Sequence, residues 1–341
     1  MSSSNSRNPS LDVLRCLLMF GVVMQHTFAV CKFGGVIPYA AYAIYDGLTG
    51  PSVDGFASLS GWFGVKCTLK KLYRLACLIF FCGTLHYGIY QLGRFVCGPS
   101  YAQWFGYDIP SMSYGYEVYR YWYLGAYAKL LILSIALNPI LDAISRFKKV
   151  WIALISLAFI GVSYLSLLWF PWVSHSPRTI IFIYIVVRLA CMFDIGRVVN
   201  ENKIVHRMIG LVLLLLFALF AVNANMHCFL FRGYHHPISI LSGLLLVVYF
   251  YPLKLSSKSL LVRVCSLIAP SMIAVYMLHW NFMDTFFKPV PQFLIKTFPS
   301  FPIPLAFFIC AVVIFIIVTS LDLARRKCVA VVRPHLPKFL A

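Results

Sequence analysis

Acidic residues are scarce. Ten Asp and Glu stand against 29 Lys and Arg in 341 positions, and charged residues make up only 11% of the chain. A soluble globular chain is about a quarter charged and about half apolar. Here 61% of residues are hydrophobic, and the mean hydropathy is +0.84. A water-soluble fold of this size cannot hide so much apolar surface, so lipid is the expected solvent for much of the chain. In a soluble protein the net charge of +19 would point to nucleic acid. In a membrane protein it reads as basic residues gathered in cytoplasmic loops, and no nucleic-acid partner is expected.

Paired cysteines are missing as well. The eleven Cys are scattered singly, with no CxxC and no His-rich partner spacing. No metal site and no bound cofactor is therefore expected. Cys16, Cys77, Cys82 and Cys310 lie inside apolar runs and suit small-hydrophobe packing. The opening MSSSNSRNPS has no short apolar stretch with an A-x-A exit, so the first apolar run is expected to be a retained helix. No polar stretch is long enough for a soluble domain, and no internal repeat of the kind common in transporters is visible.

What the chain does have is long apolar runs. Stretches near the roughly 20 residues that span a bilayer fall at about 11–30, 44–65, 74–92, 121–141, 150–170, 179–199, 207–224, 236–253, 264–284 and 301–321. The expected fold is therefore all-α and polytopic, one membrane-embedded domain over residues 1–341 with about ten transmembrane helices. The second run holds Gly47, Gly50, Pro51, Asp54, Gly55, Gly61 and Gly64, and is expected to be a broken helix packed among others. With the N-terminus inside, ten spans place 19 basic residues on the cytoplasmic side and 7 outside, with Arg15, Lys129 and Arg188 within spans. That bias matches the positive-inside rule and puts both termini in the cytoplasm of a cell-membrane protein. The connection at 93–120 is rich in Tyr and Trp, as suits the outer interface. His227, His235 and His236 fall in another outer loop.

Ionisable groups inside a span are costly and mark functional candidates. The first helix holds Asp12, Arg15 and His26. Arg15 and His26 are eleven residues apart, about three turns and about 16 Å of rise, so they share a face. Asp12 lies one turn before Arg15. Each also has a plainer reading: Asp12–Arg15 as a local i,i+3 ion pair, and His26 as a bond to a neighbouring helix. Arg188 and Asp194 lie too far round a helix to pair with each other, and Lys129 has no partner visible in the sequence.

At these residues the chain resembles a family. LDVLRCLLMFGVVMQHTF (11–28) is similar to the opening of the membrane acyltransferase-3 proteins, with an arginine, ten residues, then a histidine. FASLSGWF (56–63) resembles the family's Ser-Gly-aromatic segment, here Ser60-Gly61-Trp62. LKKLYRL (69–75) resembles the basic stretch after it, YWYL (121–124) its Trp-containing helix start at Trp122, and SMIAVYMLHW (271–280) its final Ser…Tyr…His motif. Cys16 stands where the family usually has glycine.

The resemblance implies transfer of an acyl group, usually acetyl from cytosolic acyl-CoA, to a hydroxyl on a carbohydrate or lipid-linked glycan. The donor is a polyanion, and Lys70, Lys71 and Arg74 form a cationic cluster suited to its phosphates; plain positive-inside anchoring is the alternative. A thioester is already activated, so the reaction needs a base for the hydroxyl and a donor to the oxyanion. His26 suits the base, with an acyl-imidazole as the variant, and Arg15 completes the catalytic pair. Asp12, Asp54, Ser60, Trp122, Tyr276 and His279 are candidates for orienting the acceptor or for structure, and Asp54 for fixing the His26 tautomer. The rival reading is a glycolipid or sugar transporter with His26 as a proton relay.

Overall fold

The computed structural model describes residues 8–33, 49–97, 122–169, 177–225, 237–282, 297 and 303–332. Among these there is no strand. The helices are α1 (Pro9–Phe33), α2 (Pro51–Phe63), α3 (Leu69–Cys97), α4 (Trp122–Ile144), α5 (Lys149–Trp169) and α6 (Pro177–Cys191), followed by α7 (Ile195–Glu201), α8 (Lys203–Asn225), α9 (Pro237–Phe250), α10 (Leu260–Ile268), α11 (Met272–Phe282) and α12 (Ile303–Val332). The 93–120 connection lies mostly, and His227, His235 and His236 entirely, outside the described residues.

Four described segments are long and apolar enough to cross a bilayer: Pro9–Phe28, Trp122–Ile144, Leu260–His279 and Leu305–Val331. A fifth is made if the pair Thr179–Cys191 and Ile195–Glu201, bent by 57°, counts as one broken span. Large apolar side chains such as Phe80, Ile135, Leu157 and Leu214 point outward, as a lipid-facing surface requires. The chain is a multi-pass, all-helical membrane protein. Within the second run Pro51–Phe63 is continuous and ends at Gly64, and residues 44–48 of that run lie outside the described residues. Two other expected spans are interrupted. The run at 179–199 turns at Asp194, whose φ is 56°. The run at 264–284 passes through a 3₁₀ turn, Ala269–Ser271, because Pro270 cannot donate to the helical ladder.

Two compact units emerge. The first comprises residues up to Leu18, Gly50–Cys67 and Trp122–Leu267; the second comprises Met19–Thr49, Thr68–Tyr121 and Ile268–Ala341. In the first unit, Asn8 caps α1 by accepting the Ser10 amide at 3.0 Å, and Pro9 suits the first turn. Leu11, Leu14 and Leu18 then recur on one face of α1 and pack on Leu59 and Val247, with Phe56, Trp62, Leu246 and Phe250 around them. Helix α2 is wedged against α6 and α9. Small residues allow this: a Cβ on Gly61 would lie 2.7 Å from Val187 Cβ, and one on Gly243 would lie 2.7 Å from the backbone of Asp54 and Gly55. Without a hydrophobic force between helices in lipid, such close approach is a main source of cohesion.

The second unit holds the later half of α1 with α3, α11 and α12. Phe20 meets Phe308 and Phe315 edge-on, each at 5.7 Å, and Phe28 meets Phe307 at 5.3 Å, fastening α1 to α12. Helix α11 packs on both α12 and α3. At the far end of α12, Arg325 bonds buried Asp322 at 2.7 Å, and Arg326 reaches Ser271 at 3.3 Å.

Candidate active site

The second unit brings two imidazoles together. His26 projects from α1 and His279 from α11, and His26 Nδ1 lies 2.6 Å from His279 Nε2. The rings are near-parallel at 5° with centroids 4.9 Å apart. A face-over-face stack keeps ring atoms farther apart than 2.6 Å, so the rings meet edge to edge, nearly coplanar, through a nitrogen–nitrogen hydrogen bond. His279 is 1% exposed, and its Nδ1 lies 2.9 Å from the Val275 carbonyl one helical turn back. Tyr276, also buried, sits on the neighbouring turn with its ring 6.0 Å from that of His279. Beside His26, Thr27 donates to the Val23 carbonyl at 2.8 Å, so its hydroxyl is used within α1.

Lys70, Lys71 and Arg74 belong to the same unit and are exposed on the first turns of α3. Thr68 caps that helix, its hydroxyl accepting the Lys71 amide at 3.2 Å. An exposed helix N-terminus flanked by three cations presents positive potential to an anion.

The remaining candidates lie in the first unit. Arg15 Nη1 bonds Asp12 Oδ1 at 2.7 Å, with side-chain exposures of 28% and 0%. The local i,i+3 pair is thus present, and the guanidinium also covers the Phe63 ring at 5.3 Å. A guanidinium has five N–H donors, so one bond to Asp12 does not exhaust it. Asp54 is fully buried and accepts from the Ser239 hydroxyl, while its Oδ1 is buried with no hydrogen-bond partner among the described residues. Asp54 takes a serine, and the ring facing His26 Nδ1 is His279.

Ser60 donates to the Phe56 carbonyl at 3.1 Å in its own helix. Trp122 opens α4 and meets Tyr123 edge-on at 5.9 Å. Arg188 and Asp194 do not pair with each other: Arg188 lies 3.8 Å from Asp142, and Asp194 lies 3.1 Å from Lys149. Among the described residues no cluster of three His, Cys, Asp or Glu could hold a metal.

Sequence reasoning named His279 but not its partner, and it missed Ser239. The signal for His279 is the Ser…Tyr…His pattern of SMIAVYMLHW (271–280). Ser239 carries no such mark, since serines are common in apolar helices. No curated protein and no solved structure matches the chain. The family model described as "Acyltransferase domain" does match, over residues 8–321, from the cap of α1 into α12. The match spans nearly the whole chain, and the chain belongs to the acyltransferase-3 family.

Proposed function

We propose that the protein transfers an acyl group, acetyl in the first instance, from cytosolic acyl-CoA to a hydroxyl of a carbohydrate. The acceptor is a surface polysaccharide or its lipid-linked precursor. The protein sits in the cell membrane, with about ten spans and both termini in the cytoplasm. The observation that carries this reading is the hydrogen-bonded histidine pair on α1 and α11, inside a chain whose family performs acyl transfer.

His26 acts as general base. Its ring takes the proton of the acceptor hydroxyl as the oxygen attacks the thioester carbon. The acyl C–O bond forms and the C–S bond breaks. The proton then passes from the imidazolium to the departing thiolate, so ester and free CoA thiol leave with the base regenerated. Arg15 supplies positive charge to the donor or to the developing oxyanion. Lys70, Lys71 and Arg74 meet the donor phosphates at the start of α3. Family membership favours this reading over the transporter, which would neither bind nor consume acyl-CoA.

The test is transfer of labelled acetyl from acetyl-CoA, supplied to the cytoplasmic face of membrane vesicles, into glycan. Wild type is compared with His26→Ala at equal expression. A positioned base contributes about 10²–10⁴-fold, and a loss of that size is expected. Wild-type turnover by His26→Ala would remove the base assignment.

A further inference from the structure

We infer that His279 is a positioning residue that sets the tautomer of His26, through a chain of hydrogen bonds anchored on the Val275 carbonyl. This rests on the proposed role of His26 as general base. The chain is read from its fixed end. A carbonyl oxygen only accepts, and it has two lone pairs, so Val275 can serve the helical ladder and an imidazole together. The nitrogen at 2.9 Å from it, His279 Nδ1, must therefore carry hydrogen. In a neutral imidazole the other nitrogen then holds the lone pair, so His279 Nε2 accepts. Only one proton fits between two nitrogens 2.6 Å apart, and it belongs to His26 Nδ1. The lone pair of His26 is thereby placed on Nε2.

A histidine base works only if its basic nitrogen is the one facing the substrate, and the bond made by the opposite nitrogen decides which that is. In many enzymes a carboxylate makes that bond. Here a second imidazole makes it, held by its own helix. The arrangement suits a membrane interior, because the resting relay carries no net charge and requires no buried ion. When His26 Nε2 takes the acceptor proton, the His26–His279 bond becomes charge-assisted and stronger. The positive charge is then shared toward a ring whose Nδ1–H already faces a carbonyl dipole. Delivery of the proton to the thiolate restores the neutral relay.

The geometry also distinguishes three replacements. Gln at 279 places a carbonyl oxygen near the position of Nε2 and can still accept from His26 Nδ1. Asn is shorter, so it can satisfy Val275 but falls short of His26. Ala does neither. Expected turnover follows that order: His279→Gln within about tenfold of wild type, and His279→Asn and His279→Ala each down by about 10²-fold or more, with KM for acetyl-CoA little changed. A merely structural histidine would not separate Gln from Asn in turnover while KM and folded yield stay level.

The direct measurement needs no variant to be active. Nitrogen-15 NMR of histidine-labelled wild type in lipid, with the His26 signals assigned by their loss in His26→Gln, reports which ring nitrogen is protonated. Protonated Nδ1 with bare Nε2 is expected. The opposite tautomer in wild type would overturn the inference, as would an unchanged tautomer in His279→Ala. These outcomes leave the base assignment to the His26→Ala turnover assay, so the two ideas fail separately.

Discussion

Two polar pairs, one in each unit, differ in what they are built to do. Asp54 and Ser239 join α2 to α9 where the helices touch backbone to backbone, since Gly243 leaves no room for a Cβ above Asp54 and Gly55. His26 and His279 join α1 to α11 with two ring nitrogens apiece, each able to donate or accept according to tautomer. The first pair ties helices together in a place closed by packing. The second can pass a proton without separating charge. Burial and polarity alone mark both as candidates, and ring nitrogens that can each donate or accept separate the second.

Mutations can break this contrast. The largest effect is expected at His26, where Ala lowers acetyl transfer by about 10²–10⁴-fold while Asp54→Asn, which keeps an acceptor for Ser239, stays within about threefold. An equal loss in both, measured as initial rates in vesicles at matched expression, would erase the distinction. Next is Gly243→Ala, whose new Cβ meets backbone at 2.7 Å. Overpacking of this kind costs about 1–3 kcal/mol, so thermal unfolding in detergent should begin several degrees lower with KM unmoved. Gly→Ala at exposed Gly88, whose Cβ would meet nothing within 4 Å, is the matching control.

Smaller effects are expected among the cations. Arg15→Gln removes the positive charge proposed to meet the donor and should raise KM for acetyl-CoA by about tenfold or more, the effect of losing a charged hydrogen bond of about 1.5–3 kcal/mol. Replacing Lys70, Lys71 and Arg74 together with Ala should raise it only a few-fold, and the difference should fade as salt rises, because exposed charges are screened. A salt-independent rise from the triple variant would count against phosphate contact.

Hydropathy and a few spaced ionisable residues made the helical, membrane-embedded character legible, along with the Asp12–Arg15 pair. These are local features: a run of apolar side chains, or two groups one turn apart. The interruptions were harder to place. A hydropathy window sees 264–284 as one run, yet Pro270 divides it into α10 and α11, because hydropathy does not register a missing amide hydrogen. Gly55 and Gly61 of the second run serve as flat surfaces for neighbouring helices, a role that hydropathy does not register either. Partnerships were least legible of all. His26 and His279 are 253 positions apart, and Asp54 and Ser239 are 185 apart. Nothing in composition or period records which face of one helix meets another at that separation.

The exit from α2 has a consequence for hydrogen exchange. Val65 is outside any helix, yet its amide lies 3.2 Å from the Tyr184 hydroxyl and its carbonyl accepts from Asn138 at 2.7 Å, while Tyr184 donates to Asn138 at 2.6 Å. The Cys67 amide two residues on is likewise met by the Ser134 hydroxyl at 3.2 Å. Side chains of α4 and α6 thus stand in for the solvent that a loop ordinarily uses to satisfy its backbone. A loop satisfied in this way should behave kinetically like a buried helix. Its Val65 and Cys67 amides should exchange with heavy water only when α4 and α6 part, and Asn138→Ala should release them while the ends of the neighbouring helices keep their own pace.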